Sequence, residues 1–296
     1  ITALLDPDVE PTLENALARW WPIQIHLIGK DILRFHAVYW PAMLMSAGLP
    51  IPSCIFGHGF LTKDGLKMGK SMGNTLDPIA LVQTYGADAV RYYFLKEIEF
   101  GGDGDFNESR FVNVVNANLA NDLGNLLNRT LKMVHKYCDA CVPVLTEFEL
   151  VAESPLKEIA DSLGAKVSQA YSSLAFGEAC EAVLTLVKSG NKYIDEQAPW
   201  SLFKQQQKVL AEQVLYSVLE SVRLAAYLLS PIIPDTSTAI YQQLGFSVDF
   251  NDKTIANASI SYATHANWGM LPQGQPIGDP QPVFRRLELL EALSPK

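Results

Sequence analysis

The spacing of apolar residues changes character near position 105 of this 296-residue chain. Up to that point short unbroken apolar runs alternate with helical periods. Ile23, Ile25, Leu27 and Ile28 form a run that stops at Gly29, a stretch rich in large apolar groups follows over 31–46, and a second run lies near 51–56. Short apolar segments bounded by turn residues suit strands buried on both faces, and strand, helix, strand predicts a βαβ unit with a parallel sheet. A short helix is expected over 11–21, opening with Pro11 and Thr12. Beyond 105 strand signals vanish and long helical periods take over, at 111–137, 178–188, 208–229 and 236–244. The first of these has two faces. Leu119, Leu123, Leu126 and Leu127 form the expected buried stripe, and Asn118, Asn121, Asn125 and Arg129 the opposite one. At about 100° per residue, the steps from 118 to 129 return to within roughly 20° of their start. The expected fold class is α/β, a partial parallel sheet followed by an all-α helical bundle.

Several positions carry chemistry that packing does not require. GFLTKDGLKMGKSMGNTLDP, residues 59–78, holds Lys67 and Lys70 among glycines, small residues and the hydroxyl of Ser71. A loop with so little side-chain bulk can move and bring two ammonium charges onto a polyphosphate. A Walker A loop does not fit: it places four residues between its first glycine and Gly-Lys-Ser, whereas only Leu66, Lys67 and Met68 separate Gly65 from Gly69. Lys63, Asp64 and Gly65, moreover, read as a turn. Ligands of parallel sheets sit beyond the carboxyl ends of strands, which is where Gly29, Lys30 and Asp31 fall. Asp31 either accepts from a ribose diol or caps the next helix. On the following turns Phe35, His36, Tyr39 and Trp40 crowd together, with His36 either a core histidine or a ligand.

In the helical part, asparagines are mediocre helix formers. A face of them is accounted for by solvent exposure or by base-edge recognition, to which Arg129 adds planar charge. Lys132 and Lys136 continue the basic character. Pro199 ends or bends a helix and leaves Trp200 at the start of the next element. There it is either a packing residue or a stacking platform for an unpaired base, worth about 1–3 kcal/mol. Asp88 and Arg91, three apart on a helix, are spaced so that they could pair and read as structural, not catalytic.

Composition narrows this reading. A net charge of −9 excludes a chain that coats nucleic acid by overall charge, so an RNA partner needs a local basic face. No run approaches the roughly 20 apolar residues of a membrane span, so a soluble, cytoplasmic protein with no membrane partner is expected. Of Cys54, Cys138, Cys141 and Cys180, only Cys138 and Cys141 form a CxxC, and nothing follows at zinc spacing. Reduced structural thiols and no metal site are expected. The chain begins at Ile1 in what reads as mid-domain sequence, so a fragment is expected.

HGFLT, KMGKS and MGN resemble the KMSKS signature of class I aminoacyl-tRNA synthetases, with Gly69 where that family usually has serine. HLIGKDILRFHAVYWPAML makes the chain similar to methionyl-tRNA synthetases in particular, and NLANDLGNLLNR and DEQAPW resemble their anticodon-binding bundle. The resemblance implies a Rossmann-type catalytic half with its lysine loop over 1–104, an anticodon-binding domain over 105–250, and a tail over 251–296 that packs back on the body. It implies ATP-dependent activation of methionine to the adenylate and transfer to tRNA(Met), with ATP and Mg2+ as cofactors; a monomer is expected from the chain's ending soon after the helical domain. By it, Lys67 and Lys70 stabilise the departing pyrophosphate. Gly29, Asp31, His58, Lys70 and Ser71 hold ATP, Phe35, His36 and Trp40 line the methionine pocket, and Asn118, Arg129 and Trp200 read the anticodon. It also places the HIGH motif and an inserted domain, often zinc-bearing, upstream of Ile1. None of the histidines here stands in an H-x-G-H context, so the polypeptide alone is expected not to form the adenylate. The rivals are another class I synthetase, for leucine, isoleucine or cysteine, and a stand-alone tRNA-binding module with a degenerate catalytic remnant.

Overall fold

The computed structural model describes residues 8–145, 154–252 and 260–289, apart from the side chains of Arg19, Trp20 and Lys70. The chain divides into two compact units, Ile1–Asn74 with Glu99–Asp105, and Thr75–Ile98 with Phe106–Lys296.

The first unit opens with α1 (Leu13–Trp20), capped by the Thr12 hydroxyl, which accepts from the Asn15 amide at 3.2 Å. β1 (Ile25–Gly29) and β2 (Cys54–His58) pair in parallel, Ile25 opposite Cys54 and Gly29 opposite His58. The two apolar runs thus become the two strands of a parallel pair. Their connection is not the single helix expected over 31–46. It comprises a 3-10 turn at Lys30–Ile32, a π-helical turn at Phe35–Tyr39, and α2 (Trp40–Ser46). Pro41 accounts for the widening: it has no amide to offer the Ala37 carbonyl, and the Trp40 amide bonds instead to Phe35, five residues back. A second sheet has the order β4-β3-β5, from β3 (Leu61–Lys63), β4 (Leu66–Lys67) and β5 (Gly104–Phe106). Asp64 and Gly65 join β3 to β4 with φ of 52° and 74°, the two left-handed residues of a tight hairpin turn. The turn is visible in the sequence. Strands of two or three residues are too short to show a period.

The second unit is helical: α3 (Pro78–Tyr85), α4 (Ala87–Glu97), α5 (Glu108–Val115), a π-helical stretch at Asn116–Gly124, and α6 (Asn125–Tyr137). Then come α7 (Pro155–Asp161), α8 (Leu163–Ser172), α9 (Phe176–Gln197), α10 (Pro199–Lys204), α11 (Lys208–Leu229), α12 (Pro234–Gln243) and α13 (Tyr262–His265). Helix α11 is buried without interruption over 213–229 because α6, α7, α9, α10 and α12 surround it.

Two charged residues of α11 form the polar centre of this core, Glu220 and Arg223, both 0% exposed. They pair through two bonds of 2.7 and 2.8 Å. Glu220 also accepts the amides of Gly269, Met270 and Leu271, while Arg223 donates to the carbonyls of His265 and Asn267. Each buried charge is therefore both paired and hydrogen-bonded, the condition under which such burial is tolerated. The later tail is held by main-chain bonds, Val142 to Gln275 and Ile277 to Ala140, each at 2.9 Å. The Asn116 amide clasps both polar groups of Leu287.

Asp88 and Arg91 of α4 do not pair with each other, contrary to their spacing. One Asp88 carboxylate oxygen accepts the Thr236 amide and hydroxyl, both at 2.7 Å, at the start of α12. Arg91 donates to the carbonyls of Pro231 and Ile232 at 2.6 and 2.9 Å. Helix ends and turns leave main-chain groups unpaired, and these two side chains satisfy them from 140 to 148 residues away in sequence. Burial raises the Asp88 pKa above the usual carboxylate value. Residues 75–98 consequently cluster with the helical unit and not with the sheet.

All four cysteines are free thiols, Cys54 exposed and Cys180 buried. Burial pushes Cys138 and Cys180 up to about 12. Among the described residues no helix is long and apolar enough to cross a membrane, and no three His, Cys, Asp or Glu side chains gather to hold a metal ion.

Candidate ligand pocket and nucleic-acid face

Gly29 and His58 lie side by side at the carboxyl ends of β1 and β2. A Cβ on Gly29 would lie 2.6 Å from an Asp31 carboxylate oxygen, so glycine here gives that carboxylate its room. Asp31 is exposed, and the 3-10 turn it sits in has no side-chain cap. The helical turn that follows, Phe35–Tyr39, has Arg34 at its N-cap and no side-chain cap bond, so Asp31 does not cap it. Lys30 is engaged by Asp103, whose carboxylate oxygens lie 2.6 and 2.7 Å from its ammonium, and the same ammonium sits 4.9 Å from the centre of the Phe60 ring. Asp103 also accepts the Phe60 amide at 2.7 Å. The Lys30 hydrogen bond, first, and that amide hold Asp103 below the usual carboxylate range. Gly59, between His58 and Phe60, has no room for a side chain: a Cβ would lie 2.0 Å from the Gly102 carbonyl oxygen. The exposed His58 places Nδ1 3.0 Å from the Gly59 carbonyl.

Beside β1 lies a pocket of about 480 Å³ lined by His26, Phe35, His36, Tyr39, Trp40 and Met43. The π-helical turn groups Phe35, His36 and Tyr39, and the Phe35 and Tyr39 rings meet edge to face at 5.6 Å. His36 Nδ1 is 3.0 Å from the Ile32 carbonyl, which can only accept, so that nitrogen carries a proton. His26, which the sequence reading did not single out, contributes from the strand. Its Nε2 is buried without a hydrogen-bond partner among the described residues. Burial, then the neighbouring His36, lowers its pKa below the ordinary histidine value. Rings and a thioether around an apolar space suit a polarisable ligand side chain.

Lys67 is exposed at the end of β4, and Lys70–Met72 form a 3-10 turn with Ser71 exposed. The Lys70 side chain lies outside the described residues. A Cβ on Gly69 would make only ordinary contacts, 3.7 Å or more, with Met72 and Ser71. The glycine is therefore not sterically required, and the serine usual in the resembling family fits. A strand hairpin leads into a single short turn here, not the backbone nest and long helix of a P-loop.

In the helical unit, Arg129 on α6 is half-buried and donates to Asp195 of α9 at 2.5 Å. Asn125, one turn before it, is exposed and shares its face. Asn118 does not. It is 7% exposed and lies against the buried Tyr92, which corrects the expectation that it joins Arg129 on an outer face. The π-helical stretch at 116–124 has more residues per turn than an α-helix, so counting at 100° from 118 to 129 gives the wrong phase. Pro199 opens α10 after Ala198, whose φ of 44° ends α9, and Trp200, the second residue of α10, is 36% exposed. Arg129, Asn125 and Trp200 thus offer solvent a cation, an amide and a ring.

Comparison with known proteins gives concordant results for both units. Residues 5–131 match the family model of class I tRNA synthetases (M), and residues 147–291 that of the anticodon binding domain of methionyl tRNA ligase. The chain is 66% identical to the methionine–tRNA ligase of Nostoc sp. over 97% of its own length and 54% of that protein's. It is 51% identical to the chloroplastic/mitochondrial methionine–tRNA ligase of Arabidopsis thaliana, over 98% of this chain and 46% of that one. Methionyl-tRNA synthetase of Mycobacterium tuberculosis bound by methionyl-adenylate superposes with a TM-score of 0.81 at 38% identity, over 96% of this chain and 53% of the other. The chain spans about half the length of the curated relatives it matches.

Proposed function

The chain belongs to the methionyl-tRNA synthetase family of class I tRNA synthetases, and from that premise we propose that it supplies part of a methionine–tRNA ligase. That enzyme joins methionine to ATP as the adenylate and passes the methionyl group to tRNA(Met). The observation that carries this reading is the aromatic pocket beside β1, with His26, Phe35, His36, Tyr39, Trp40 and Met43 around one apolar space.

In this reading methionine's thioether enters that pocket, where Phe35, His36 and Trp40 contact it. Asp31 accepts from the ribose diol of ATP, Gly29 allows the nucleotide close approach, and His58 lies toward the adenine. Ser71 sits in the loop that meets the phosphates. Lys67 and Lys70 act on the pyrophosphate, whose charge grows as its bond to the α-phosphorus breaks; stabilisation that appears only in the transition state raises the rate. No carboxylate cage for Mg2+ forms among the described residues, so no step here is assigned to that ion. Arg129, oriented by Asp195, with Asn125 and Trp200, meets the anticodon, Trp200 by stacking on an unpaired base. A cytoplasmic location and a monomeric state belong to the same reading.

Binding of a labelled anticodon hairpin of tRNA(Met) to the 296-residue chain tests it. Replacing Trp200 by Ala, or changing the anticodon, should each weaken binding about tenfold, the scale of one lost stacking contact. Equal affinity for the native and altered hairpins would overturn the anticodon assignment. Methionine activation is tested by methionine-dependent pyrophosphate exchange in the full-length enzyme, and loss of activity without loss of hairpin binding would favour a stand-alone RNA-binding module.

A further inference from the structure

We propose that Asn74 is a positioning residue that latches the lysine loop, one side-chain amide holding the main chain at both Lys67 and Gly69. This deepens the phosphate-handling role proposed for that loop and rests on it for its catalytic consequence. Asn74 Nδ2 donates to the Lys67 carbonyl at 3.1 Å, and Asn74 Oδ1 accepts the Gly69 amide at 2.9 Å. The Met72 amide donates to the Gly69 carbonyl at 3.0 Å. Gly73, with φ of 64°, turns the chain back so that Asn74 reaches its partners. Residues 67–74 thereby close into a ring around one side chain.

The chemistry needs this residue type. β4 lies at one end of the sheet order, with β3 as its partner, so among the described residues its outer main-chain groups have no strand beside them. A carboxamide offers one donor and one acceptor and stands in for the missing strand. An ionised aspartate of the same size can only accept. It would keep the Gly69 bond and turn a negative charge toward the Lys67 carbonyl. The consequence concerns the two cations. Lys67 is on a strand backed by β3, whereas Lys70 begins the turn. The Asn74 amide joins strand to turn, so the two lysines move as one arm and not separately.

The test has two arms, using Asn74→Ala and the isosteric Asn74→Asp. In the 296-residue chain, hydrogen exchange of the Gly69 amide reads the latch itself. It should be protected in the wild type and unprotected in Asn74→Ala, with the thermal midpoint little changed. In the full-length enzyme, both variants should lower kcat for methionine-dependent pyrophosphate exchange roughly tenfold or more, with KM for methionine unchanged, because misplacing a catalytic group is costly while the amino-acid pocket is untouched. A variant that was merely less stable would lose active protein and keep its kcat per site. Unchanged Gly69 exchange in Asn74→Ala overturns the latch. Lost protection with full kcat overturns its positioning role. Should the wild-type full-length enzyme show no methionine-dependent exchange, the proposed function fails, while the exchange data still decide whether the latch exists.

Discussion

The two compact units solve the problem of holding a shape in different ways. In the helical unit α11 is buried over 213–229, and the charges within that span, Glu220 and Arg223, are sealed in with partners. In the sheet-bearing unit of this chain, which spans about half the length of its relatives, large apolar groups are left uncovered: Leu27, Phe35, Met43 and Met45 are 56%, 58%, 64% and 70% exposed. Its geometry rests on single polar anchors. Asp103 joins Lys30 to the Phe60 amide, Asp105 accepts from Thr62 and the Gly65 amide at the hairpin, and Asn74 spans the loop. One unit is held by bulk burial, whose loss is felt throughout. The other is held by close local fits, whose loss is felt nearby.

That contrast can be broken most directly at the buried pair. Replacing Arg223 by Ala leaves Glu220 charged and buried, which should cost about 3–5 kcal/mol, read as a shifted urea midpoint of the helical unit. A shift below about 1 kcal/mol would mean that water reaches the pair and that the core is not sealed. Next in size is Gly59→Ala. Its Cβ would overlap the Gly102 carbonyl, so the cost should be about 1–3 kcal/mol or more. By hydrogen exchange it should appear as lost protection in the β3–β4 hairpin with α11 amides unaffected, and equal losses in both units would erase the distinction.

Acid should act on the helical unit through His265, which is buried beside Arg223, Glu220, Tyr227, Tyr241 and Phe246. Burial, then the Arg223 charge, lowers its pKa below the ordinary 6.5. The unfolded chain therefore binds a proton that the folded chain refuses, and this contribution to stability falls as the pH drops below about 6.5. Urea midpoints measured from about pH 7.5 down to about pH 5.5 should decline in the wild type and decline less in His265→Asn. Equal slopes would remove His265 from the account. The smallest effect belongs to Gly69→Ser, where the added atoms meet only ordinary contacts. Stability should stay within about 0.5 kcal/mol, and a larger loss would show the loop to be tighter than its contacts suggest.

Much of the architecture was legible in residue order. The two apolar runs became β1 and β2, the helical period at 208–229 became α11 with the same bounds, and Pro199 opens α10. Of the candidate site, the aromatic cluster at 35–40 does line a pocket, and Trp200 does reach solvent. His26 was not legible as a pocket residue, since nothing in its flanks says which neighbours its ring will meet. Asn118 was misplaced because a helix was assumed to keep one pitch. The pairing of Asp88 with Arg91 was expected from spacing and failed because helix ends elsewhere in the fold offered both residues better partners.

What residue order determined by itself is whatever short-range covalent geometry controls. Proline fixes where a helix starts, an Asp-Gly pair permits a tight turn, and the period of apolar groups chooses helix or strand. What only the tertiary structure decided is which polar group meets which. Arg129 found Asp195, 66 residues away, Asp88 found Thr236, 148 away, and Asn74 rather than another polar side chain closed the lysine loop. The reason is physical. A hydrogen-bonding group excluded from water takes whichever complementary partner packing brings within about 3 Å, and no local rule in the sequence encodes that distance.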